Sequence, residues 1–322
     1  MLVDKETYIA VTKKIGNVPY EQTIAWKNFK GVADEDLLFF VDSPVDPYIA
    51  CWGRVFHKPG IGKIVDIISE VAKESIVQKL ITQFFKSVVI DAACNMITYS
   101  NTCVYDCKYE IGLRRAGFNR PMGSRMCPLT MFVDIQGKRS PDRNWKRNIK
   151  KAIEDKLEFV AVERPTFQDV EMVSNMFNEL KDMKSLCYEV EVNHLAKLFE
   201  DDRFYLFFVK QNNKPVCARV IYIDGKKAAD VFAANSYESR KNSSTHYIME
   251  NIFEFMKEKG VETFDFSRIP PSNDERDSVY IFKNCAGGYP IQYNGEWIWS
   301  KNKYTPLLFG AYNFITKKGV LY

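Results

Sequence analysis

The pattern of apolar and polar residues between 204 and 268 predicts three strands, a polar loop, a helix and a final strand. From Ile248 the apolar residues recur at helical spacing, and Gly260 predicts the end of that helix. Asp224-Gly225 predicts a hairpin turn, because glycine accepts a positive φ at no steric cost. The three predicted strands are short runs rich in aromatic and β-branched residues, at 204–209, 216–223 and 228–234.

The strand predicted after this helix, over residues 263–267, has two different faces. Phe264 and Phe266 alternate with Thr263, Asp265 and Ser267. A strand buried on both sides would not normally carry three polar residues, so we expect its polar face to line a cleft. The loop before the helix is where we expect a phosphate or pyrophosphate, since helix N-termini favour anions.

The remaining chain shows the same kinds of pattern. Apolar residues at four-residue spacing predict a helix over 69–87, and the β-branched run 88–90 predicts a strand after it. Ser140 is the predicted N-cap of a further helix that buries Trp145 and Ile153. The other face of that helix is basic, which is usual for a solvated face but would also suit a polyanionic partner: Arg143, Lys146, Arg147, Lys150 and Lys151.

Residues 296–319 predict a strand followed by a helix. The aromatic and lysine side chains of this segment could touch a membrane surface, although burial between two domains is the more ordinary account. No apolar run of about 18 residues occurs, so no membrane span is expected. The segment therefore allows peripheral membrane contact at most.

Length and composition narrow the class of protein. A chain of 322 residues accommodates two domains of ordinary size, and the net charge of +4 permits an anionic ligand without arguing for nucleic acid. The eight cysteines lie scattered among apolar neighbours, which predicts reduced thiols and a cytoplasmic location. We expect no metal site.

Short motifs follow one another along nearly the whole chain: QTIAW at 22–26, TMFVDI at 130–135, WKRNIKKAIE at 145–154, VFAANSYESR at 231–240, FDFSR at 264–268, and YIFK at 280–283 with Gly287-Gly288. In this order they resemble Fem-type peptidoglycan aminoacyltransferases and related FemAB-like acyltransferases of the GNAT superfamily. The resemblance implies an α/β (α+β) fold. It comprises two GNAT-like domains in tandem, each a mixed, mostly antiparallel sheet flanked by helices. We place the domains at 1–150 and 151–322, the second with the donor site.

The resemblance also implies a set of site residues. Lys283 matches the lysine of the family's YxFK motif, where a fixed ammonium can stabilise the oxyanion of acyl transfer. The alternative is a strand lysine that reaches solvent between buried aromatics. Asp265 is the predicted proton acceptor and Tyr280 a further catalytic residue. The predicted substrate-binding residues are Arg268, Ser267, Tyr237 and Phe282.

The donor is predicted to bind the loop before the helix, at Arg240, Asn242, Ser243, Ser244 and Thr245. This loop lacks the glycines that usually let a pyrophosphate approach, so both acyl-CoA and aminoacyl-tRNA remain open as donors, and no tightly bound cofactor is expected. The predicted function is N-acyl transfer to an amine on a cell-envelope or polysaccharide precursor, an amino sugar or peptide that is either a small molecule or lipid-linked. The alternative is an inactive GNAT-like module that binds a nucleotide-linked glycan or a partner protein.

Overall fold

The computed structural model of the protein describes residues 1–121, 128–137, 139–184, 190–269 and 277–315. The chain forms two compact units. Unit 1 comprises Met1–Lys27, Val32–Leu129 and Ile291–Tyr322, and unit 2 comprises Asn28–Gly31 and Thr130–Pro290. Each helix and strand is described with the unit that holds most of its residues.

Unit 1 contains a mixed sheet flanked by helices. Its strands are β1 Leu2–Val3, β2 Leu37–Val41, β3 Ile49–Lys58, β4 Gly62–Ile68, β5 Val71–Ala72, β6 Met96–Val104 and β13 Tyr289–Ser300. Its helices are α1 Lys5–Ile15, α2 Ile24–Phe29, α3 Gln78–Ala92, α4 Cys107–Arg115 and α10 Tyr304–Ile315. The strand order is β1, β2, β3, β4, β6, β13, with β5 paired to β3, and β4 with β6 is the parallel pair.

Unit 2 contains a second mixed sheet. Its strands are β7 Leu129–Asp134, β8 Glu158–Val162, β9 Phe204–Gln211, β10 Lys214–Asp224, β11 Lys227–Asn235 and β12 Thr263–Arg268. Its helices are α5 Arg143–Glu154, α6 Phe167–Lys184, α7 Val192–Ala196, α8 Ser244–Glu258 and α9 Ser278–Cys285. The strand order is β7, β12, β11, β10, β9, β8, and β11 with β12 is the parallel pair. The predicted fold class is therefore confirmed.

The boundaries of the two units differ from those of the predicted domains, 1–150 and 151–322. Strand β7 pairs antiparallel with β12, where Thr130 lies opposite Arg268, so unit 2 begins near residue 130. Residues 291–322 return to unit 1. No local pattern reveals either feature, because both depend on strands that lie far apart in sequence.

The core of unit 2 confirms the predicted helix and strand after residue 244. Ile248, Ile252 and Met256 of α8 are fully buried, as is Phe264 of β12. Gly260 follows the helix with φ +76°, the left-handed conformation that ends a helix readily only at glycine. Burial along β12 alternates as predicted, with Phe264 and Phe266 buried and the polar residues between them half-buried.

Two predicted element boundaries are wrong. Residues 88–90 continue α3, and the helix begins at Gln78 rather than near 69, after the short strand β5. Val88 packs with Ile81 and Phe85 in the core of unit 1, so the helical spacing of buried residues outweighs the β propensity of the valines.

Helix α5 also begins later than predicted. Its N-cap is Asp142 rather than Ser140, and the Asp142 carboxylate accepts a hydrogen bond from the N–H of Trp145 at 2.7 Å. Ile153 is 62% exposed, although Trp145 is buried as expected. Among the described residues, no helix is long and apolar enough to cross a membrane.

Candidate functional site

The YIFK segment belongs to helix α9, which carries Lys283 into the interior of unit 2. Asp277 caps this helix with its carboxylate, which accepts hydrogen bonds from N–H groups of the first turn. The Nζ atom of Lys283 donates to the carbonyl oxygens of Ser267 at 3.1 Å and Arg268 at 2.8 Å. The side chain is buried and helical. The alternative of a strand lysine that reaches solvent is therefore wrong.

Strands β11 and β12 pair over only three positions and then diverge. Their parallel ladder runs from Lys227 opposite Thr263 to Ala229 opposite Asp265. Beyond it, Ser267 has a left-handed backbone with φ 60°, and its hydroxyl donates to the carbonyl oxygen of Asp230 at 2.6 Å. A side chain thus bonds to β11 just beyond the last backbone pair of the ladder. The backbone pairing therefore stops before the end of β12, whose carbonyl oxygens accept from Lys283.

Asp265, the predicted proton acceptor, already holds this strand end together. Its Oδ1 atom accepts hydrogen bonds from the hydroxyl of Thr130 and from the N–H of Ser267, the latter at 2.8 Å. The Thr130 hydroxyl also donates to the carbonyl oxygen of Ser267 at 2.8 Å. Asp265 therefore fixes the conformation of Ser267, and its oxygen Oδ1 is committed to that role.

A buried ion pair between β10 and β11 lies close to Lys283. Arg219 donates from Nη1 to Oδ2 of Asp230 at 2.8 Å, and each side chain is only 9% exposed. The Nε atom of Arg219 and the Oδ1 atom of Asp230 are buried without a hydrogen-bond partner among the described residues. Leaving such atoms unpaired costs free energy, so this pair is a candidate for contact with a ligand.

Burial and mutual attraction determine the ionisation of this group of charges. Burial raises the pKa of Asp230, and the positive charges of Arg219 and Lys283 oppose that shift. Burial lowers the pKa of Lys283, with Asp230 the largest opposing influence. Both pKa values therefore move toward the range in which proton transfer near neutral pH is favourable.

Sequence reasoning missed Arg219 and Asp230. Each is a charged residue inside a strand that is otherwise apolar, VCARVIYI and AADVFAA. Charged residues are rarely buried unless they are paired. One charged residue in each of two neighbouring strands of a predicted hairpin could therefore have indicated a buried ion pair. The pairing of β10 with β11 also contains a β-bulge between Val220 and Ile221. The alternation of residues along the strands does not predict this bulge.

The other predicted residues of the YIFK motif lie in different surroundings. Tyr280 is 41% exposed on α9, whereas Phe282 packs against Trp145 and His246, with ring centroids 5.3 and 5.1 Å apart. Arg268 contributes its carbonyl oxygen to Lys283. The structure thus brings Lys283, Asp265, Ser267 and Arg268 together, while Phe282 forms part of the packing behind them.

Gly287 and Gly288 permit close packing of the backbone. Gly287 has φ +86°, and a Cβ atom there would lie 3.0 Å from the backbone of Ser140. A Cβ atom on Gly288 would lie 2.5 Å from Cγ of Met131 and 3.2 Å from the carbonyl oxygen of Lys283. These glycines therefore allow the chain to pass close behind α9.

The polar side chains of the predicted donor loop form hydrogen bonds with the loop itself and with neighbouring elements. The hydroxyl of Ser243 donates to Oδ1 of Asn148 at 3.1 Å, and that of Ser244 to the carbonyl oxygen of Ser239 at 3.4 Å. The side chain of Asn242 accepts from the N–H of Ser244 at 3.1 Å. Thr245 reaches Oδ1 of Asn235 at 3.5 Å. The loop is thus ordered by contacts within itself and with α5 and β11, and its serine hydroxyls already have acceptors.

Tyr237 and Arg240 complete the predicted set. Tyr237 is 57% exposed, and Nζ of Lys241 lies 4.8 Å above its ring. Arg240 lies in a short 3₁₀ turn, Glu238–Arg240, and its side chain is outside the described part of the structure. Tyr237 is accessible to a ligand at this end of the loop.

His246 lies in the first turn of α8 behind the loop. Its ring packs edge-on against Trp145 and Phe282, and Nε2 lies 3.3 Å from Nδ2 of Asn148. Burial lowers the pKa of His246 to about 4, although the charge of Asp142 opposes the shift. The imidazole is therefore neutral at pH 7 and helps to pack α8 against α5.

A large part of unit 2 is similar to a known protein family. Residues 139–278 match the family model described as an acetyltransferase (GNAT) domain. No curated protein sequence matches the chain.

Solved structures with similar folds cover the chain almost entirely. A crystal structure of FemX aligns over 96% of this chain and 98% of its own, with a TM-score of 0.77 and 14% identity. The C-terminal domain of a putative lysylphosphatidylglycerol synthetase from Agrobacterium fabrum aligns over 96% of both chains, with a TM-score of 0.63 and 14% identity. A tandem GNAT protein from the clavulanic acid biosynthesis pathway aligns over 94% of this chain and 98% of its own, with a TM-score of 0.52 and 10% identity.

At these identities the structural matches show the fold alone. The family match and the shared fold together confirm the GNAT-like resemblance found in the sequence. Residues 139–278 are therefore similar to GNAT acetyltransferase domains, and the chain shares its fold with FemX and with the tandem GNAT protein.

Proposed function

We propose that unit 2 catalyses transfer of an acyl or aminoacyl group from a thioester or ester donor to an amine. The observation that supports this most directly is the short ladder between β11 and β12, which ends beside buried Lys283. In this proposal an extended group binds where the ladder ends, close to the charges that the chemistry requires.

In the proposed reaction the amine nitrogen attacks the donor carbonyl, and a C–N bond forms. Two of the three N–H groups of Lys283 bind the carbonyl oxygens of Ser267 and Arg268. The third is available to stabilise the oxyanion of the tetrahedral intermediate. The intermediate then breaks its C–S or C–O bond, and the leaving oxygen or sulfur takes up a proton.

The attacking amine must lose a proton, and Asp230 is better suited than Asp265 to receive it. Oδ1 of Asp230 is buried without a partner among the described residues, whereas Oδ1 of Asp265 accepts two hydrogen bonds. Burial also raises the pKa of Asp230, which makes that carboxylate a stronger base. We therefore place the proton acceptor at Asp230 and give Asp265 a positioning role.

Two donor classes remain in this proposal. GNAT domains generally take acyl-CoA, which favours a thioester. The hydroxyls of Ser243 and Ser244, however, already donate to Asn148 of α5 and to the carbonyl oxygen of Ser239. The exposed basic face of α5 lies beside that loop, since Nζ of Lys151 is 3.4 Å from the carbonyl oxygen of Lys241. A polyanionic donor such as aminoacyl-tRNA would use that face.

The proposed acceptor is an amine on a cell-envelope precursor. The support is the resemblance to Fem-type enzymes and a neighbour of similar fold that is named for lysylphosphatidylglycerol, an aminoacylated lipid. Both donor classes are cytoplasmic, so we place the reaction in the cytoplasm.

The second candidate is an inactive module that binds a nucleotide-linked glycan or a partner protein. Two observations favour it. The Lys283 ammonium donates to two backbone carbonyl oxygens. The hydroxyls of Ser243 and Ser244 also have protein acceptors, Asn148 and the carbonyl oxygen of Ser239. A lysine used only to stabilise a strand end would make the same contacts.

The test is turnover of Lys283→Ala with whichever donor raises the melting temperature of the wild-type protein. Candidates are acetyl-CoA, coenzyme A, aminoacyl-tRNA and a UDP-linked amino sugar, each at low and moderate salt. We expect kcat to fall about 100- to 1000-fold, as for loss of an oxyanion donor. The matched control is Lys257→Ala, at an exposed lysine of α8. Unchanged kcat in Lys283→Ala would exclude the catalytic role.

Salt dependence separates the donors. Binding of tRNA releases counterions and should weaken steeply with salt, whereas binding of a small thioester should change far less. If the nucleotide sugar alone binds and no donor is turned over, the binding module is the correct account.

A further inference from the structure

Helix α10 of unit 1 has an outward face made entirely of apolar residues. The helix contains no charged residue, and it buries Thr305 and Phe309 against the core. At about 100° per residue, the exposed positions fall within an arc of about 160° on the other side. They are Tyr304, Leu307, Leu308, Ala311, Tyr312, Phe314 and Ile315.

The exposure of these side chains is unusual for a helix in water. Tyr304, Phe314 and Ile315 are 74%, 65% and 77% exposed, and Leu307 and Leu308 are about half exposed. A surface helix normally turns charged and polar residues outward. A continuous exposed apolar face of this kind marks an interaction surface.

Positive charge surrounds this face. Lys301 and Lys303 are exposed just before the helix. Lys58, in the β3–β4 hairpin, places Nζ 3.8 Å above the ring of Tyr312 and 4.9 Å from the ring of Phe309. Lysines next to an apolar face complement the anionic head groups of a bilayer.

The dimensions of α10 fit a helix that lies in the membrane surface. Twelve residues span about 18 Å, too short for the roughly 30 Å hydrocarbon core. Tyrosine and phenylalanine near its ends suit the head-group region, where aromatic rings are enriched.

We propose that α10 docks unit 1 onto an anionic lipid surface, with the apolar arc inserted at the head-group boundary and the lysines beside it. The docking follows from α10 alone. That it delivers the enzyme to a lipid-linked acceptor rests on the function proposed above.

The test is sedimentation of the full chain with vesicles of phosphatidylcholine alone and with phosphatidylglycerol added. Wild-type protein is expected to bind the anionic vesicles. The double variant Leu308→Gln/Ile315→Gln should bind them at least tenfold more weakly, since two exposed apolar side chains no longer enter the bilayer. Lys301→Gln/Lys303→Gln should lower binding to anionic vesicles severalfold and leave the weak binding to neutral vesicles unchanged.

The matched control is Val45→Gln/Ile90→Gln, which removes two exposed apolar residues of unit 1 outside α10. It should bind like wild type. Wild-type protein that fails to bind anionic vesicles, or equal loss in the control, would overturn the proposal. Analytical ultracentrifugation tests whether the face instead binds a second copy of the chain. The proposal is wrong if the wild type is a dimer and Leu308→Gln/Ile315→Gln is a monomer with unchanged vesicle binding.

These readouts are independent of catalysis. An inactive protein that still binds vesicles through α10 would refute the proposed function and support docking. An active protein that does not bind vesicles would support the proposed function and refute docking.

Discussion

The two units repeat one order of elements and differ where their parallel strands meet. In unit 1 the order is β2, β3, β4, α3, β6, α4, with the short strand β5 between β4 and α3, and in unit 2 it is β9, β10, β11, α8, β12, α9. The parallel ladder of unit 1 runs over five positions, from Ile64 opposite Met96 to Ile68 opposite Ser100. That of unit 2 ends after three.

Unit 1 closes the corresponding place with hydrogen bonds. The N–H of Ser69 donates to the carbonyl oxygen of Ser100 at 2.8 Å, which extends the contact beyond the ladder. Glu70 follows, fully buried, and accepts hydrogen bonds from the hydroxyl of Tyr99 and from Nδ2 of Asn101, the latter at 3.0 Å. Burial raises the pKa of Glu70, while these donors oppose the shift.

Unit 2 holds opposite charges at the equivalent place and leaves some of their atoms unpaired. Arg219 and Asp230 are joined by one close contact, and Nε and Oδ1 lack partners among the described residues. The same architecture thus carries a satisfied polar cluster in one unit and an unsatisfied one in the other. Because unpaired buried groups are costly, this difference is our reason for proposing that the active site lies in unit 2.

The largest expected effect comes from breaking the buried ion pair. Arg219→Ala leaves the Asp230 carboxylate buried and unpaired, which should lower the free energy of unfolding by about 3–5 kcal/mol. Urea denaturation measures it. Arg203→Ala is the control, because Arg203 also pairs with an aspartate, Asp201 at 2.7 Å, but is 31% exposed and should cost about 1 kcal/mol or less. Equal costs would show that burial gives the Arg219–Asp230 pair no special importance for stability.

His246 makes the stability of unit 2 depend on pH. Its folded pKa of about 4 lies below the usual 6.5, so between these values the unfolded chain binds the extra proton. The free energy of unfolding should therefore rise from pH 4 to 6.5, by roughly 2–3 kcal/mol. In His246→Gln this rise should shrink, whereas His57→Gln, at an exposed residue, should keep it. A wild-type slope in His246→Gln would contradict the account.

A smaller effect is expected in unit 1. Glu70→Ala removes the acceptor for Tyr99 and Asn101 and should cost about 1–3 kcal/mol of unfolding free energy. Glu70→Gln keeps an acceptor and should cost less. Neither change should alter ligand-induced thermal shifts if the active site lies in unit 2, and a lost shift would place a ligand in unit 1.

The pH dependence of Glu70 has the opposite sign to that of His246. A carboxyl group whose pKa is raised on folding binds a proton in the folded state that the unfolded chain has already lost. Its contribution therefore falls as pH rises above the usual 4.5. The stability of wild type relative to Glu70→Gln should decline over that range, as urea denaturation at several pH values would show.

The sequence by itself determined the features that depend on local periodicity. The helical spacing around Ile248, the alternation of Phe264 and Phe266, and the left-handed stop at Gly260 were all predicted and all appear. The helix after Ser300 was predicted as well. The GNAT resemblance came from short segments in a constant order. These signals suffice because each is set by neighbours within a few residues.

Tertiary structure alone decided the details of the candidate site. Lys283 was found by resemblance, but its two backbone acceptors come from a strand 15 and 16 residues away. Arg219 and Asp230 gain their altered environment only when β10 and β11 pair and other elements exclude water. Ser243 bonds to Asn148, 95 residues earlier, instead of to a phosphate. Where strands stop pairing, and which charges are buried there, depends on long-range contacts that no local pattern encodes.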